Sequence, residues 1–419
     1  MNDLAWIEGA IAAARPQAVA ALLRYFRDLD TAEEAFQEAC LRALKNWPDN
    51  GPPRDPAAWL IMVGRNAALD ATRKNARMTS LPDEAEVSDL GDREAEMADR
   101  LDETHYRDDM LRLLFICAHP ELPATQQVAL ALRIVSGLSV KQIARAFLVG
   151  EAAMEQRITR AKAKVADAGV PFETPGPIER AERLAAVMTM IYLVFNEGYS
   201  AGPKDEERGL LADEAIRLGR LLLRMYQTEP EIMGLLALML LQHARAPARF
   251  SATGDIVLLE DQDRTQWRAP LIQEGLALIE KAMRHRQTGA YLVQAAIAAL
   301  HARAATYAET DWAGIDALYA TLEQLNPSPV ITLNRAVAVS KTKGPEDALA
   351  MLAPLEKPLG GYFHFHGARG ALLLQLGQKQ AAREAFDRAI ALANSPAEAA
   401  HIRMHIDRLS ADAGSAKGS

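Results

Sequence analysis

Six polar side chains recur on one face of a predicted helix near position 160, and their chemistry suits DNA. The amide of Gln156 and the hydroxyl of Thr159 are groups that hydrogen-bond base edges, whereas arginine and lysine pair with phosphates. The full set is Gln156, Arg157, Thr159, Arg160, Lys162 and Lys164. Glu155 lies among them and would weaken a phosphate contact nearby. These residue types favour nucleic-acid binding by a helix surface.

The segment from Pro123 to Val165 predicts three short helices that would position this face. Thr125 is a candidate cap for the first helix, Gly137 breaks it, and Ser139 is a candidate N-cap for the second, residues 140–147. The predicted inward-facing residues are Val128, Leu130, Leu132 and Val135 in the first helix, and Met154, Ile158, Ala161 and Val165 in the third. This pattern is typical of a helix-turn-helix. The alternative is an αα-hairpin with a solvated basic face.

Composition places the chain among all-α proteins. It has 419 residues, which is enough length for two to four domains, and its formal charge is −8. Cys40 and Cys117 both lie in apolar helical stretches, which indicates free thiols and a reducing cytoplasm. We expect no signal peptide and no membrane-spanning segment, because the apolar runs are too short. The acidic total argues weakly against a generic nucleic-acid binder and permits one with a local basic surface.

A helix is predicted from Thr31 to Trp47, and one of its faces suits a protein partner. That face carries Glu34, Gln37, Glu38 and Arg42. Carboxylates, an amide and an arginine at helical spacing can make charge-assisted contacts with a complementary helix pair. We expect Glu33 on the polar side of this helix, and Leu41 and Leu44 on its apolar side. The alternative is an ordinary solvated helix face.

After a predicted loop at residues 48–56, a third helix carries a polar face that ends in a basic turn. Its members are Arg65, Asn66, Asp70, Arg73, Lys74 and Arg77. Amide and guanidinium groups can hydrogen-bond a base, and the later cations can meet single-stranded backbone. Trp47 and Trp59 could stack on bases, but their apolar neighbours favour core packing. A charged surface strip is the alternative for this helix.

Residues 80–109 carry twelve carboxylates and three arginines, which predicts a solvated acidic linker. The resulting domain prediction is residues 1–79, the linker 80–109, residues 110–170 with the helix-turn-helix, and a large extension over residues 171–419. At low salt the acidic linker could compete with DNA for the basic faces.

Three motifs in this order resemble bacterial RNA polymerase sigma factors of the extracytoplasmic-function class. They are AEEAFQEACLRAL, AAWLIMVGRNAALDATRK and LSVKQIARAFLVGEAAMEQRITRAKAKV. The resemblance implies that residues 33–42 bind the polymerase β′ clamp and that Arg65–Arg77 read the −10 promoter element. It also implies that Lys141 and Gln156–Lys164 read the −35 element, with the β flap as a further polymerase contact. The implied partners are core RNA polymerase and promoter DNA.

The extension predicts further helices and a repeat near its end. Gly370, Gly377, Ala382, Phe386 and Ala389 match the small-residue and aromatic pattern of tetratricopeptide (TPR) repeats. Stacked helix pairs of this kind form concave surfaces for a protein or peptide ligand. The segments FNEGYSAG and LLEDQDR resemble those of a sigma-factor subgroup whose fused C-terminal domain is thought to regulate it.

No catalytic, cofactor or metal site is predicted. Glu197, Asp261 and Asp263 could form an acid/base or metal site, but carboxylates in polar loops are usually caps and surface charges. His364, His366, His401 and His405 could ligate a metal, but no Cys or carboxylate cluster accompanies them. We therefore expect a sigma factor and not an enzyme. The alternative is a helical scaffold, or regulatory interaction protein, whose sigma module is degenerate.

Overall fold

A computed structural model describes residues 5–51, 53–76, 103–147, 149–167, 177–202, 205–251, 253–393 and 402–403. The chain forms two compact units, Met1–Glu197 and Gly198–Ser419. Both are helical, and the β structure found within the described ranges is an isolated bridge between Phe250 and Ile256. The predicted all-α class is confirmed.

The first unit contains two groups of helices. The described helices are α1 (Ala5–Phe26), α2 (Leu29–Asn50), α3 (Pro56–Ala76), α4 (Glu103–Cys117), α5 (Ala124–Ile134), α6 (Val140–Ala146), α7 (Glu151–Asp167) and α8 (Pro177–Tyr199), whose last two residues belong to the second unit. Helices α1, α2 and α3 pack against one another, and α4 packs on α1. Helix α4 begins at Glu103, inside the range 80–109 predicted as linker.

Helix α2 is longer at both ends than its sequence suggested. Asp28 is its N-cap and accepts a hydrogen bond from the Thr31 backbone N–H at 2.8 Å, so the helix starts at Leu29 and not at Thr31. The helix continues through Pro48 to Asn50 and ends at Gly51, whose φ is +79°. The prediction of a loop from residue 48 is therefore wrong for its first three residues.

The core of this three-helix group includes the predicted tryptophans. The rings of Trp47 and Trp59 lie 5.3 Å apart and are 2% and 8% exposed, which confirms core packing. Three assignments on α2 are wrong. Leu41 and Leu44 are exposed, and Glu33 is buried at 4% exposure.

The helix-turn-helix forms as predicted, with one local difference. Ser139 caps α6 in a capping box with Gln142, and Gly137 breaks the chain after α5 with a φ of +76°. The apolar stripe of α7 is buried at Met154, Ile158, Ala161 and Val165. The prediction for Thr125 is wrong, because Pro123 occupies the N-cap position of α5 and no side chain caps that helix.

The second unit consists of helices that pack mainly on their neighbours in sequence. Its helices are α9 (Glu206–Met225), α10 (Pro230–Ala244), α11 (Ala269–Met283), α12 (Ala290–Arg303), α13 (Trp312–Leu325), α14 (Pro329–Thr342), α15 (Pro345–Leu352), α16 (Glu356–Leu359), α17 (Phe363–Gln375) and α18 (Lys379–Ala391). The repeat-like pair α17 and α18 approaches closely at Gly370, where a Cβ would lie 2.5 Å from the Phe386 ring. Ala382 and Ala389 are fully buried beside it, so the small residues do set this packing distance.

Candidate nucleic-acid and polymerase interfaces

Helix α7 exposes most of the side chains proposed to face the −35 element. The exposed members are Lys141 on α6 and Gln156, Thr159, Arg160 and Lys164 on α7, whereas Arg157 and Lys162 are half-buried. The Nζ of Lys164 donates to the Glu121 carbonyl at 2.5 Å. Arg145 is also exposed one turn after Lys141 on α6, a cation that sequence reasoning missed although the i, i+4 spacing indicates it.

Lys162 differs from its neighbours because two carboxylates hold it. Its Nζ lies 2.5 Å from Oε2 of Glu33 and 2.6 Å from Oδ1 of Asp30, both on α2. Burial works against the ammonium, but the hydrogen bonds to Asp30 and Glu33 outweigh it and raise the pKa of Lys162. This amine is therefore charged and already paired within the first unit.

Glu33 is the centre of this charge cluster. Its carboxylate is surrounded by Lys162, by Nη2 of Arg15 at 3.3 Å and by Nε of Arg133 at 3.6 Å. Arg15 also donates to the backbone carbonyls of Ile134 at 3.3 Å and Arg133 at 3.2 Å. Burial lowers the pKa of Arg15, against the opposing effect of Glu33. Glu33 thus joins side chains of α1, α2, α5 and α7.

A second buried carboxylate joins α4 to α1. Asp109 of α4 is 4% exposed and lies 3.4 Å from Nη1 of Arg24 on α1 and 3.2 Å from Nη1 of Arg112. Sequence reasoning missed both carboxylates. A signal for Glu33 was present, since it stands three positions before the buried Phe36 and so shares its helix face.

The structure describes two side chains, those of Arg65 and Asn66, of the face proposed to read the −10 element. Asn66 on α3 is exposed, and the guanidinium of Arg65 lies 4.5 Å from the centroid of the Tyr25 ring. Asp70, Arg73 and Lys74 belong to α3, but their side chains are outside the described residues. Arg77 also lies outside the described residues.

The face of α2 proposed for polymerase is both acidic and apolar. Glu34 and Gln37 are exposed, and Glu38 accepts from Nε of Arg42 at 3.0 Å. Leu41 is 56% exposed and lies seven positions after Glu34, on the same helix face. Leu44, 42% exposed, extends this apolar strip. An exposed leucine pair bordered by carboxylates is a surface suited to a protein partner.

The second unit contains an open cavity of about 520 Å³ that is lined in part by the segment FNEGYSAG. Tyr199, Arg249 and Phe250 line it. The guanidinium of Arg249 lies 3.6 Å from the Tyr199 ring centroid and donates to the Tyr199 carbonyl. Burial lowers the pKa of Arg249 by disfavouring its charge. Among the described residues no carboxylate pairs with this guanidinium.

His243 forms another wall of the cavity, where its ring contacts two charged side chains. Its Nε2 lies 3.0 Å from Oδ1 of Asp213 and 2.9 Å from Nη1 of Arg268. In the segment LLEDQDR, Asp263 accepts from the Thr265 backbone N–H at 2.9 Å, and Arg264 donates to the carbonyls of His301 and Ala304 at 2.5 Å and 2.6 Å. These contacts give the segment a structural role.

The described ranges contain no group of three or more potential metal ligands. Nε2 of His366 lies 2.9 Å from the Gly360 carbonyl, and His401 and His405 lie outside the described residues. No described helix combines the length and apolar character needed to cross a membrane.

Parts of the chain match known protein families. Residues 10–78 match Sigma-70 region 2, and residues 112–165 match Sigma-70, region 4. Residues 183–283, which include the cavity, match a family of unknown function (DUF6596). Over 414 residues the chain is 68% identical to an uncharacterized protein of Rhizobium meliloti (strain 1021), covering 98% of each chain.

The order of these matches agrees with the helices that carry them. Region 2 coincides with α1, α2 and α3, and region 4 ends with the helix-turn-helix. The two regions imply a sigma-factor-like role in transcription initiation, with core RNA polymerase and promoter DNA as partners. The chain belongs to the sigma-70 factors, as an extracytoplasmic-function-like sigma factor with a large helical C-terminal extension.

Proposed function

We propose that the chain directs core RNA polymerase to specific promoters, reading the −35 element with α6 and α7 and the −10 element with α3. The observation that carries this is the pair of sigma regions with exposed polar faces on α7 and α3, at Gln156, Arg160 and Asn66. Gln156 and Asn66 supply amides for base edges, and Arg160 supplies a charge for phosphate.

The acidic and apolar face of α2 is the proposed contact with the β′ clamp. Glu34, Gln37 and Glu38 give charge complementarity, which raises association rate and fixes orientation. The exposed Leu41 supplies the apolar area that affinity requires. A second polymerase contact, with the β flap, is proposed for the region-4 helices.

Run-off transcription with purified core polymerase and a library of promoter templates tests this function. We expect a product that depends on the chain and is lost in the double variant R157A/R160A. An R284A variant is the matched control, because Arg284 is an exposed cation of α11 that pairs only with Glu280 among its described neighbours. Absence of a chain-dependent product from every template would contradict the proposal and favour the scaffold alternative.

We further propose that the extension regulates initiation by receiving a protein or peptide ligand. The cavity of the second unit supports this, since Arg249 presents a partly desolvated cation without a described carboxylate partner. A carboxylate of the ligand, from an acidic side chain or a chain terminus, would supply that partner. Tyr199 and Phe250 would pack on its apolar part.

The R249Q variant separates this regulation from promoter recognition. With purified polymerase we expect R249Q to transcribe as the unchanged chain does. In cells, with a reporter promoter chosen in the purified system, we expect its output to differ from that of the unchanged chain and of R284Q. Thermal unfolding of R249Q controls for loss of structure. Equal output of all three chains in cells would contradict the ligand site.

A further inference from the structure

The cavity of the second unit presents one cation and one carboxylate that the described part of the chain does not neutralise. The cation is the guanidinium of Arg249, and the carboxylate is that of Asp205; both line the cavity. Within the described ranges these two side chains do not pair with each other or with another charged group. The cavity therefore holds two opposite charges that are both available to a ligand.

The guanidinium of Arg249 has a fixed orientation and keeps donors for a ligand. It lies 3.6 Å from the ring centroid of Tyr199 and 5.2 Å from that of Phe250, which are cation–π distances. It donates to the Tyr199 carbonyl, but a guanidinium carries several more N–H donors in a planar fork. Such a fork can bind a carboxylate through two parallel hydrogen bonds.

Asp205 stands at a helix cap but does not act as one. It occupies the N-cap position of α9, where an aspartate ordinarily accepts a hydrogen bond from a backbone N–H of the first turn. Its φ of −103° and ψ of 55° differ from the extended conformation that is typical of a cap, and its side chain accepts no such bond. Its Oδ2 lies instead 4.0 Å from where a Cβ on the cavity-lining Gly202 would stand. The carboxylate remains an acceptor for a donor that enters the cavity.

The rest of the cavity wall is neutral or already engaged. His243 is held by Asp213 and Arg268, and the Ser251 hydroxyl accepts from the Asp255 backbone N–H at 3.0 Å. Glycine, alanine, proline and aromatic residues supply most of the remaining wall. The volume of about 520 Å³ falls within the range of about 300–1,000 Å³ that is typical of small-molecule sites. These properties suit a small ligand with an apolar body and few polar groups.

We infer, building on the ligand site proposed above, that this cavity recognises a short peptide with both ends free. Its carboxylate pairs with Arg249, its ammonium pairs with Asp205, and its apolar side chains pack on the aromatic wall. A ligand with a carboxylate alone would leave Asp205 unneutralised, and an amine alone would leave Arg249 without a partner. Because Arg249 and Asp205 do not touch, the ligand must reach both, which an amine and a carboxylate separated by a peptide bond can do. A free amino acid carries the same pair of charges at a shorter separation.

Isothermal titration calorimetry of the full chain with a library of natural dipeptides tests this ligand class. Each dipeptide that binds is compared with its N-acetylated form, its C-amidated form and its constituent free amino acids. Amidation should weaken binding about tenfold or more, as for loss of a charge-assisted hydrogen bond. Acetylation should weaken binding about threefold, because Asp205 is exposed and water screens its charge.

Two variants assign the ends of the ligand to residues. R249Q should lose as much affinity for the free dipeptide as amidation costs the unchanged chain, and amidation should not weaken its binding further. D205N should show the same relation to acetylation. D347N is the matched control, because Asp347 is an exposed carboxylate in the first turn of α15, and it should bind as the unchanged chain does.

A steric variant covers the case in which R249Q fails to fold. Gly209 lines the cavity, and a Cβ there meets no atom within 4 Å. The leucine of G209L would therefore enter the open space and should abolish dipeptide binding without changing either charge. Thermal unfolding of each variant shows whether its fold is retained.

Several results would overturn this inference. They are the absence of saturable binding by every dipeptide and free amino acid, equal affinity for free and end-blocked forms, or unchanged binding by both R249Q and D205N. Tighter binding of a free amino acid than of its dipeptides would retain the paired charges and show that the ligand is a single residue. Dipeptide binding together with unaltered output of R249Q in cells would leave this ligand class standing and contradict the proposed regulation.

Discussion

Gly198 lies directly against the backbone of Ala212. A Cβ on Gly198 would come within 2.2 Å of the Ala212 nitrogen and 2.9 Å of the Leu211 carbonyl carbon. Both are backbone atoms and cannot rotate away, so only glycine permits this approach of two chain segments. The glycine of the FNEGYSAG segment thus has a packing reason within the second unit.

We predict that G198A destabilises this part of the second unit by about 2 kcal/mol through overpacking. Hydrogen exchange of α9 amides should accelerate about 30-fold as a result. G209A is the matched control, because a Cβ there meets no atom within 4 Å. A Gly-to-Ala change inside a helix should instead stabilise the fold by about 0.5–1 kcal/mol. Equal exchange in the two variants would show that the close approach carries no energetic weight.

The capping box of the helix-turn-helix gives a local prediction. S139A removes the hydroxyl that accepts from the Gln142 N–H and should destabilise α6 by about 1 kcal/mol. Exchange of the amides at 141–147 should rise about fivefold. S136A is the control, since the buried Ser136 hydroxyl has no hydrogen-bond partner among the described residues and its removal should not destabilise. A larger effect of S136A than of S139A would refute this account.

Substitution of two exposed leucines tests whether the face of α2 is a specific docking surface. L41S should weaken binding to core polymerase about tenfold, because it removes apolar area at the centre of the proposed α2 face. L210S changes a leucine of the second unit with similar exposure, 62% against 56%, and should leave binding unchanged. Both should keep the stability of the parent within about 0.5 kcal/mol. Surface-immobilised core polymerase measures the affinities, and equal losses would exclude a specific α2 contact.

Salt dependence tests whether Arg160 meets a phosphate. In reconstituted holoenzyme, R160A should reduce the slope of log affinity against log salt by about one, with similar losses on different promoter sequences. The control R284A should keep the slope. If R160A instead changes the preferred −35 sequence and keeps the slope, Arg160 contacts a base and not the backbone.

The burial of the Cys40 and Cys117 thiols determines how fast they react. Burial raises the pKa of Cys40 to about 11 and raises that of Cys117 further. At pH 8 the Cys40 thiolate fraction is then about a hundredfold below that of a free cysteine, and alkylation should slow by a similar factor. Between pH 8 and pH 10 the Cys40 rate should rise about tenfold per unit, since its pKa lies above this window. Mass spectrometry follows both thiols, and rapid alkylation at pH 8 in the folded chain would contradict the burial.

Local sequence signals were sufficient for most of the helices. The stripe from Met154 to Val165, the Ser139 cap and the Gly137 break are determined by neighbours within a few positions, where periodicity and capping act. The close approach at Gly370 was likewise readable from small-residue spacing. The family match to sigma regions 2 and 4 agrees with the motifs that carried the resemblance.

Burial and pairing across the chain required the tertiary structure. A polar residue at position 33 reads as solvated, and only the arrival of Arg133 and Lys162 from distant segments explains its burial at 4% exposure. Leu41 reads as core, yet the packing of α1 and α3 covers a different side of α2. Sequence by itself determined helix content, the helix-turn-helix and the sigma motifs, because these depend on short-range order. Tertiary structure decided which charged side chains are already paired and which apolar side chains remain exposed to solvent. Both depend on contacts between segments that are far apart in the chain.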